Sequence, residues 1–129
     1  MKRTDQIFIG RAGEFLAAYI LERSGLRTTH VDLPGDDLWC DAPHGLVRVQ
    51  VKATCHPFAV SKTRPIHFRY HFQMHRVGAY DGVFVLCALD RDLCLAKKRD
   101  DFKGQTVKIH PDKFTKEAQE ASIKRAFKL

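Results

Sequence analysis

Three polar side chains in the first half of the chain have residue types that could bind a metal ion beside a phosphodiester. They are Asp37, Gln50 and Lys52. Gln50 and Lys52 lie two positions apart in an alternating segment, so in a strand they project from the same face with a spacing of roughly 6 to 7 Å. The turn-forming segment 42–45 predicts a hairpin that brings Asp37 beside them. A carboxylate, an amide oxygen and an ammonium group gathered in this way would suit a hard divalent cation and an anionic substrate.

The second strand of this hairpin is predicted from its hydrophobic alternation. In residues 46–54, Val47, Val49 and Val51 fall on one face and polar residues fall on the other. One face is therefore expected to pack against the core, and the polar face is left for chemistry.

The order and spacing of three short motifs resemble the core of the PD-(D/E)XK nucleases. The motifs are GxxGE at residues 10–14, DL at 37–38 and QVKxT at 50–54, and the resemblance covers roughly residues 7 to 90. They are similar to the QxK variant of small stand-alone endonucleases, such as Holliday-junction resolvases and intron-encoded homing endonucleases. The chain departs from the family pattern where Asp36 replaces Pro and where the neutral Gln50 replaces an acid. Asp41 is a second candidate for the acidic role, but it lies closer to the turn than Asp37.

This resemblance implies a role for each residue of the motifs. Asp37 would be the main ligand of Mg²⁺ or Mn²⁺, with Gln50 and the backbone carbonyl of Val51 completing the protein ligands. Glu14, on the first helix, would orient a water or bind a second ion. Lys52 would stabilise negative charge on the phosphorane or help to activate the attacking water.

The same resemblance implies the fold. We expect a restriction endonuclease-like α/β (α+β) core with an N-terminal helix followed by a mixed central sheet flanked by helices. Residues 1–129 would form a single domain, in keeping with the length of the chain. Tyr80 and Asp81 echo a family feature before the central strand, and we expect their role to be structural.

The charge of the chain indicates an anionic partner. The formal net charge is +7, and residues 42–80 contain no Asp or Glu. Such a surface suits DNA, duplex or branched, because basic groups gain affinity by releasing counterions. A solvated basic face is the simpler alternative. The residues of this stretch that we expect to contact DNA are Arg48, Lys62, Arg64, Arg69, His71 and Arg76.

Hydrophobic periodicity predicts the order of the elements. Helices are expected over 5–24 and from about 111 or 112 onwards, and strands over 26–33, 38–41, 46–54, 66–73, 83–89, 93–97 and 106–109, of which 83–89 would be central. The core-facing side chains of the first helix would be Phe8, Phe15, Leu16, Tyr19 and Ile20. His67, His71 and His75 recur every four residues, but the alternation around them favours a strand, so a metal role for them is not expected.

Other features limit the cellular setting. No apolar run is long enough to span a bilayer, and the first residues lack the apolar region of a signal peptide, so we expect a cytoplasmic protein. The cysteines show no CxxC spacing and are expected to be reduced and mostly buried. They are Cys40, Cys55, Cys87 and Cys94.

Three interpretations of the sequence compete. The first is a metal-dependent DNA endonuclease, and the second is a nucleic-acid-binding module on the same fold with little or no catalytic activity. The third is an ordinary basic α/β protein in which the QVK strand is accidental. A nuclease of this size has little surface for a long duplex, so the first interpretation also predicts a homodimer or tetramer.

Overall fold

The computed structural model describes residues 3–60, 65–74 and 80–129, with side chains from residue 5 onwards. Within these residues, two helices and eight strands make up the regular structure, with short 3₁₀ turns at Arg99–Asp101 and Pro111–Lys113. The elements are α1 (Arg3–Arg23), β1 (Arg27–Leu33), β2 (Asp36–Ala42), β3 (Gly45–Thr54), β4 (Phe58–Ala59), β5 (Phe68–Gln73), β6 (Val83–Ala88), β7 (Leu93–Lys98), β8 (Thr106–Ile109) and α2 (Lys116–Phe127).

The main sheet has five strands in the order β1-β2-β3-β6-β7. Neighbouring strands are antiparallel except for β3 and β6, which are parallel, so the sheet is mixed. The expected fold class, an α+β core with an N-terminal helix and a mixed central sheet, is confirmed. No helix in the described part of the chain is long and apolar enough to cross a membrane.

The central strand β6 is covered on both faces. All six of its residues are buried, as its unbroken apolar sequence predicts. Val85 and Cys87 pack with residues of α1 and α2 on one face. Phe84 and Leu86 pack on the other face with Tyr70 of β5 and its neighbours. The molecule therefore consists of a helical layer, the main sheet, and a smaller sheet of order β4-β5-β8.

Helix α1 lies unusually close to β3. A Cβ atom added at Gly13 would lie 2.5 Å from the Cβ of Ala53, whereas one added at Gly10 would meet nothing within 4 Å. Only glycine allows the helix backbone to approach the strand this closely. The contact fixes the position of the next residue, Glu14, relative to β3.

The apolar stripe predicted for α1 is wrong at its aromatic positions. Phe8, Phe15 and Tyr19 are 68%, 59% and 61% exposed, whereas the small residue Ala17 is fully buried. Ile20 is buried as expected. The buried face of α1 carries the small residues Gly13 and Ala17 beside Ile20, so Phe8, Phe15 and Tyr19 lie on other faces of the helix.

The C-terminal helix also begins later than expected. Pro111 starts a single 3₁₀ turn, and α2 begins at Lys116 after the side chain of Thr115 accepts a hydrogen bond from the Ala118 N–H. Thr115 thus acts as the N-cap. The loop after β3 contains one strand that was not predicted, the short β4. The four cysteines are free thiols, three of them buried.

Replacing Gly13 by alanine is expected to lower the free energy of unfolding by about 1–3 kcal/mol, because the added methyl group must push α1 away from Ala53. Urea titration followed by circular dichroism measures the change. Gly10→Ala is the matched control, since it adds the same group to the same helix in open space. It is expected to leave stability unchanged or to raise it by up to about 1 kcal/mol. Equal stability of the two variants would contradict the close packing.

Candidate active site

The carboxylate of Asp37 lies where β2 and β3 separate. Their antiparallel pairing runs from Ala42 and Gly45 back to Leu38 and Val49 and stops there. Beyond this point the backbone N–H of Val51 has no strand partner on that side, and it donates to Oδ2 of Asp37 at 2.7 Å. A side chain thus takes the place of a strand at the open end of the hairpin.

The same bond orients the carbonyl group of Val51. In a paired strand, the N–H and C=O of one residue face the same neighbour. The Val51 carbonyl therefore points towards the edge occupied by Asp37, which is the position that a backbone metal ligand would need.

Asp37 is partly desolvated and has a cation nearby. Burial raises the pKa of the Asp37 carboxyl, and the Val51 N–H and the charge of Lys52 oppose that rise. Lys52 therefore lies near enough for its charge to act on the Asp37 carboxyl. The shared role predicted for Asp37 and Lys52 stays a prediction.

Glu14 reaches the same region from α1. Burial raises the pKa of the Glu14 carboxyl, and the negative charge of Asp37 raises it further. A carboxylate whose pKa is raised by a neighbouring negative charge is also stabilised by a cation, because a positive charge nearby relieves the repulsion. The close contact of Gly13 with β3 is what brings Glu14 to this position.

Gln50 and Lys52 project from the opposite face of β3 to the valines. In the parallel register they lie beside Phe84 and Leu86 of β6, which face the smaller sheet. Oε1 of Gln50 is buried and has no hydrogen-bond partner among the described residues. Such an oxygen retains unused lone pairs, which is unusual for a buried polar atom and leaves it free to accept a hydrogen bond from water or to bind an ion.

These donors fit a hard divalent cation better than a soft one. Two carboxylates, an amide oxygen and a backbone carbonyl are all oxygen ligands, which suit Mg²⁺ or Mn²⁺. Within residues 3–60, 65–74 and 80–129 there is no group of three or more His, Cys, Asp or Glu side chains placed to hold a metal ion. A metal centre at this site would therefore depend on the neutral oxygens of Gln50 and Val51.

A comparison with solved structures finds a similar protein of stated activity. The chain matches a bacterial homing endonuclease, I-Ssp6803I, with a TM-score of 0.64 and 21% sequence identity. The match covers 88% of this chain and 85% of that one. At this identity the likeness establishes the fold. No protein-family model and no curated protein matches the sequence.

Asp36, the neighbour of Asp37 on β2, has a structural role that the sequence did not reveal. It is 5% exposed. Trp39 donates to its Oδ2 at 3.0 Å and Tyr80 donates to its Oδ1 at 2.8 Å. Burial and this hydrogen bond to Asp36 raise the pKa of Tyr80 far above its ordinary value. The expectation that Tyr80 is structural agrees with these contacts.

Arg48 belongs to the same cluster. Its guanidinium group pairs with Asp81, lies 3.8 Å from Oδ1 of Asp36 and stacks 5.1 Å from the centre of the Tyr80 ring. Most of its charge is therefore balanced within the protein. The predicted DNA contact of Arg48 remains a prediction, and it would have to compete with these two carboxylates.

The other predicted DNA contacts are divided between β5 and the rest of the chain. Arg69 and His71 lie two residues apart on β5, and Nε2 of His71 is buried without a hydrogen-bond partner among the described residues. Burial lowers the pKa of His71, and the charge of Lys108 lowers it further. The remaining predicted contacts, Lys62, Arg64 and Arg76, lie outside the described residues.

Asp41, the alternative acidic residue, is exposed and lies opposite Leu46 beside the turn of the hairpin. It is therefore at the closed end of the hairpin, whereas Asp37, Val51 and Lys52 are at the open end. This position favours Asp37 as the acidic residue of the site.

The raised pKa of Asp37 has a consequence for stability. In the unfolded chain this carboxyl has its ordinary pKa, so it ionises more easily there than in the folded protein. Its contribution to stability is fully present below the ordinary pKa and is lost as the pH rises through the raised one. At neutral pH the ionised Asp37 therefore makes the fold less stable than a neutral side chain would.

Asp37→Asn keeps an oxygen acceptor for the Val51 N–H and removes the charge. We expect a higher urea midpoint than wild type at neutral pH, with the difference shrinking as the pH approaches the acid range where Asp37 is itself protonated. Asp41→Asn, at an exposed position of the same hairpin, is the control and should leave the midpoint unchanged. A midpoint for Asp37→Asn below that of the control at neutral pH would contradict the desolvation argument.

Proposed function

We propose that this protein is a divalent-metal-dependent DNA endonuclease of the PD-(D/E)XK type. The observation that carries the proposal is the Asp37 carboxylate, held by the Val51 N–H at the open end of the β2–β3 hairpin, whose charge acts on Glu14 and is in turn acted on by Lys52. A fold similar to that of a homing endonuclease gives independent support. The net charge of +7 suits the polyanionic substrate.

Each residue has a distinct task in this mechanism. Asp37, Gln50 and the Val51 carbonyl would hold Mg²⁺ or Mn²⁺. When bound, the ion supplies a water of lowered pKa and offsets negative charge on the phosphate. Lys52 stabilises the charge that develops on the phosphorane oxygens, and Glu14 accepts a hydrogen bond from the attacking water and so orients it.

A second candidate function is a DNA-binding module with little catalytic activity. The neutral Gln50 favours it, because a site with an amide in place of a carboxylate has one negative charge fewer with which to hold a divalent ion. The third interpretation, an accidental QVK strand, does not account for the unpartnered Gln50 oxygen or for a glutamate from a separate helix beside Asp37.

The oligomeric state is part of the proposal. We propose that the active form is a homodimer or tetramer, since a single small domain covers few base pairs. The exposed aromatic stripe of α1, formed by Phe8, Phe15 and Tyr19, supports self-association, because large exposed apolar patches on small domains are often interfaces.

The nuclease proposal predicts that purified protein cleaves plasmid or branched DNA only when Mg²⁺ or Mn²⁺ is added. Lys52→Ala and Asp37→Asn are each expected to lower the rate by at least about 100-fold, because each removes a group that stabilises charge in the transition state. Rates are measured from gel-resolved products at saturating protein.

Two exposed residues away from the site supply the controls for this assay. Lys124→Ala and Asp41→Asn remove the same charges and should leave the rate within about two-fold. If Lys52→Ala cleaved as fast as Lys124→Ala, the assignment of the site would be wrong. If the wild type bound DNA without cleaving it under either metal, the binding-module function would be correct.

The oligomer proposal predicts a mass of two or four chains in light scattering at micromolar concentration. The double variant Phe8→Glu/Tyr19→Glu is expected to give the mass of one chain, since buried charges oppose association. Leu46→Glu, at an equally exposed apolar position on the hairpin turn, is the control and should leave the mass unchanged. A monomeric wild type in the presence of DNA would rule out this arrangement.

A further inference from the structure

A second strongly basic region lies at the β7 edge of the main sheet, away from the strands β2 and β3. It is a groove of about 710 Å³ between β7, β8 and α2. Its walls come from parts of the chain that are separated in sequence. The cationic residues that line it are Lys97, Lys103, Lys108, Lys113 and Arg125, with His110 beside them.

The positive charges of this groove have little compensation within the protein. Asp101 is the one acidic residue that lines the groove, and it lies 3.5 Å from Arg125 and also accepts a hydrogen bond from the Lys98 N–H at 2.7 Å. None of the four lysines has an ion-pair partner among the residues that the structure describes. Several like charges around one groove repel one another, so they favour an anionic ligand.

A second groove shows that this imbalance is not a simple result of the net charge. Between α1 and α2, a groove of about 510 Å³ is lined by Arg23, Lys116 and Lys124, and also by Asp92 and Glu120. Cations and anions are nearly balanced there. The excess of lysine is therefore a property of the β7–β8–α2 groove.

The basic groove continues onto the face that carries the predicted DNA contacts of β5. Lys108 of β8 lies directly opposite His71 in the antiparallel register, and paired residues project from the same face. Burial is the larger cause of the lowered pKa of His71, and the charge of Lys108 lowers it further, which agrees with this proximity. Arg69 lies two residues further along β5 and projects from the same face.

We propose that this groove binds the sugar–phosphate backbone of duplex DNA, as a second contact in addition to the candidate active site. Lysines are compact positive charges that hold phosphates without reading the bases. The groove thus anchors a duplex in a sequence-independent way. The inference rests on the proposed function in one respect, that DNA is the anion.

Fluorescence anisotropy with a labelled duplex of about 30 base pairs, in EDTA so that no cleavage occurs, tests the groove across a range of salt concentrations. The test variant is Lys103→Ala/Lys108→Ala/Lys113→Ala, all at exposed positions. The matched control is Arg23→Ala/Lys116→Ala/Lys124→Ala, also exposed. Both triple variants lose the same formal charge, so the general effect of net charge cancels.

The groove variant is expected to bind at least about 10-fold more weakly than the control at moderate salt. Its slope of log affinity against log salt should be smaller than that of the wild type by about two to three, because up to three phosphate contacts are lost. The slope of the control should change by less than one. A triple glutamine variant at the same groove positions, with an unchanged melting temperature, should reproduce the loss and excludes misfolding as its cause.

The outcomes separate this inference from the nuclease proposal. Equal affinities of the groove variant and the control would overturn the proposed DNA-binding role of the groove, even if the wild type cleaved DNA normally. Weakened binding by the groove variant, with no cleavage by the wild type, would support the groove and overturn the nuclease. Absence of duplex binding by the wild type at low salt, or tighter binding of an RNA of equal length through the same lysines, would overturn duplex DNA as the ligand.

Discussion

The candidate site depends on the point at which two strands stop pairing. β2 and β3 are hydrogen-bonded from the turn to Leu38 and Val49, and beyond that point the edge of β3 is open towards the start of β2. An open strand edge exposes backbone N–H and C=O groups that require partners. Asp37 satisfies the N–H of Val51, and the carbonyl of the same residue faces the same space. The end of the β2–β3 pairing thus holds the Asp37 carboxylate and the Val51 carbonyl oxygen in a fixed position relative to each other.

Two adjacent aspartates show how surroundings separate a structural role from a chemical one. Asp36 is the more buried, but Trp39, Tyr80 and Arg48 surround it with donors and positive charge. Asp37 accepts one backbone hydrogen bond, and burial raises its pKa despite that bond and the charge of Lys52. A fully satisfied carboxylate stabilises the fold, whereas a partly satisfied one costs stability and keeps lone pairs for a ligand. The candidate site therefore contains polar groups, Asp37 and Gln50, whose hydrogen bonds the fold leaves incomplete.

The sequence predicted what depends on local patterns. The alternation of β3, the hairpin and the apolar run of β6 are periodic features, and the structure contains each of them. Prediction from the sequence failed for features that are determined by contacts between distant segments. Periodicity grouped Phe8, Phe15 and Tyr19 on α1 but could not reveal that the helix would pack through Gly13 instead. The partners of Asp36 include Tyr80, far along the chain, and no spacing rule connects them.

The positions of the basic surfaces also depend on contacts between distant segments of the chain. The acid-free stretch 42–80 suggested where a basic surface would lie, yet within it Arg48 is balanced by Asp36 and Asp81. The later segment 97–125 looks mixed in sequence, since lysines alternate with aspartates and glutamates. Folding separates them, because β7, β8 and the turns that connect them to their neighbours bring several lysines to one groove and leave Asp101 as the acid that lines it. Linear charge counts therefore locate neither surface, because a field depends on which charges remain unpaired after the chain has folded.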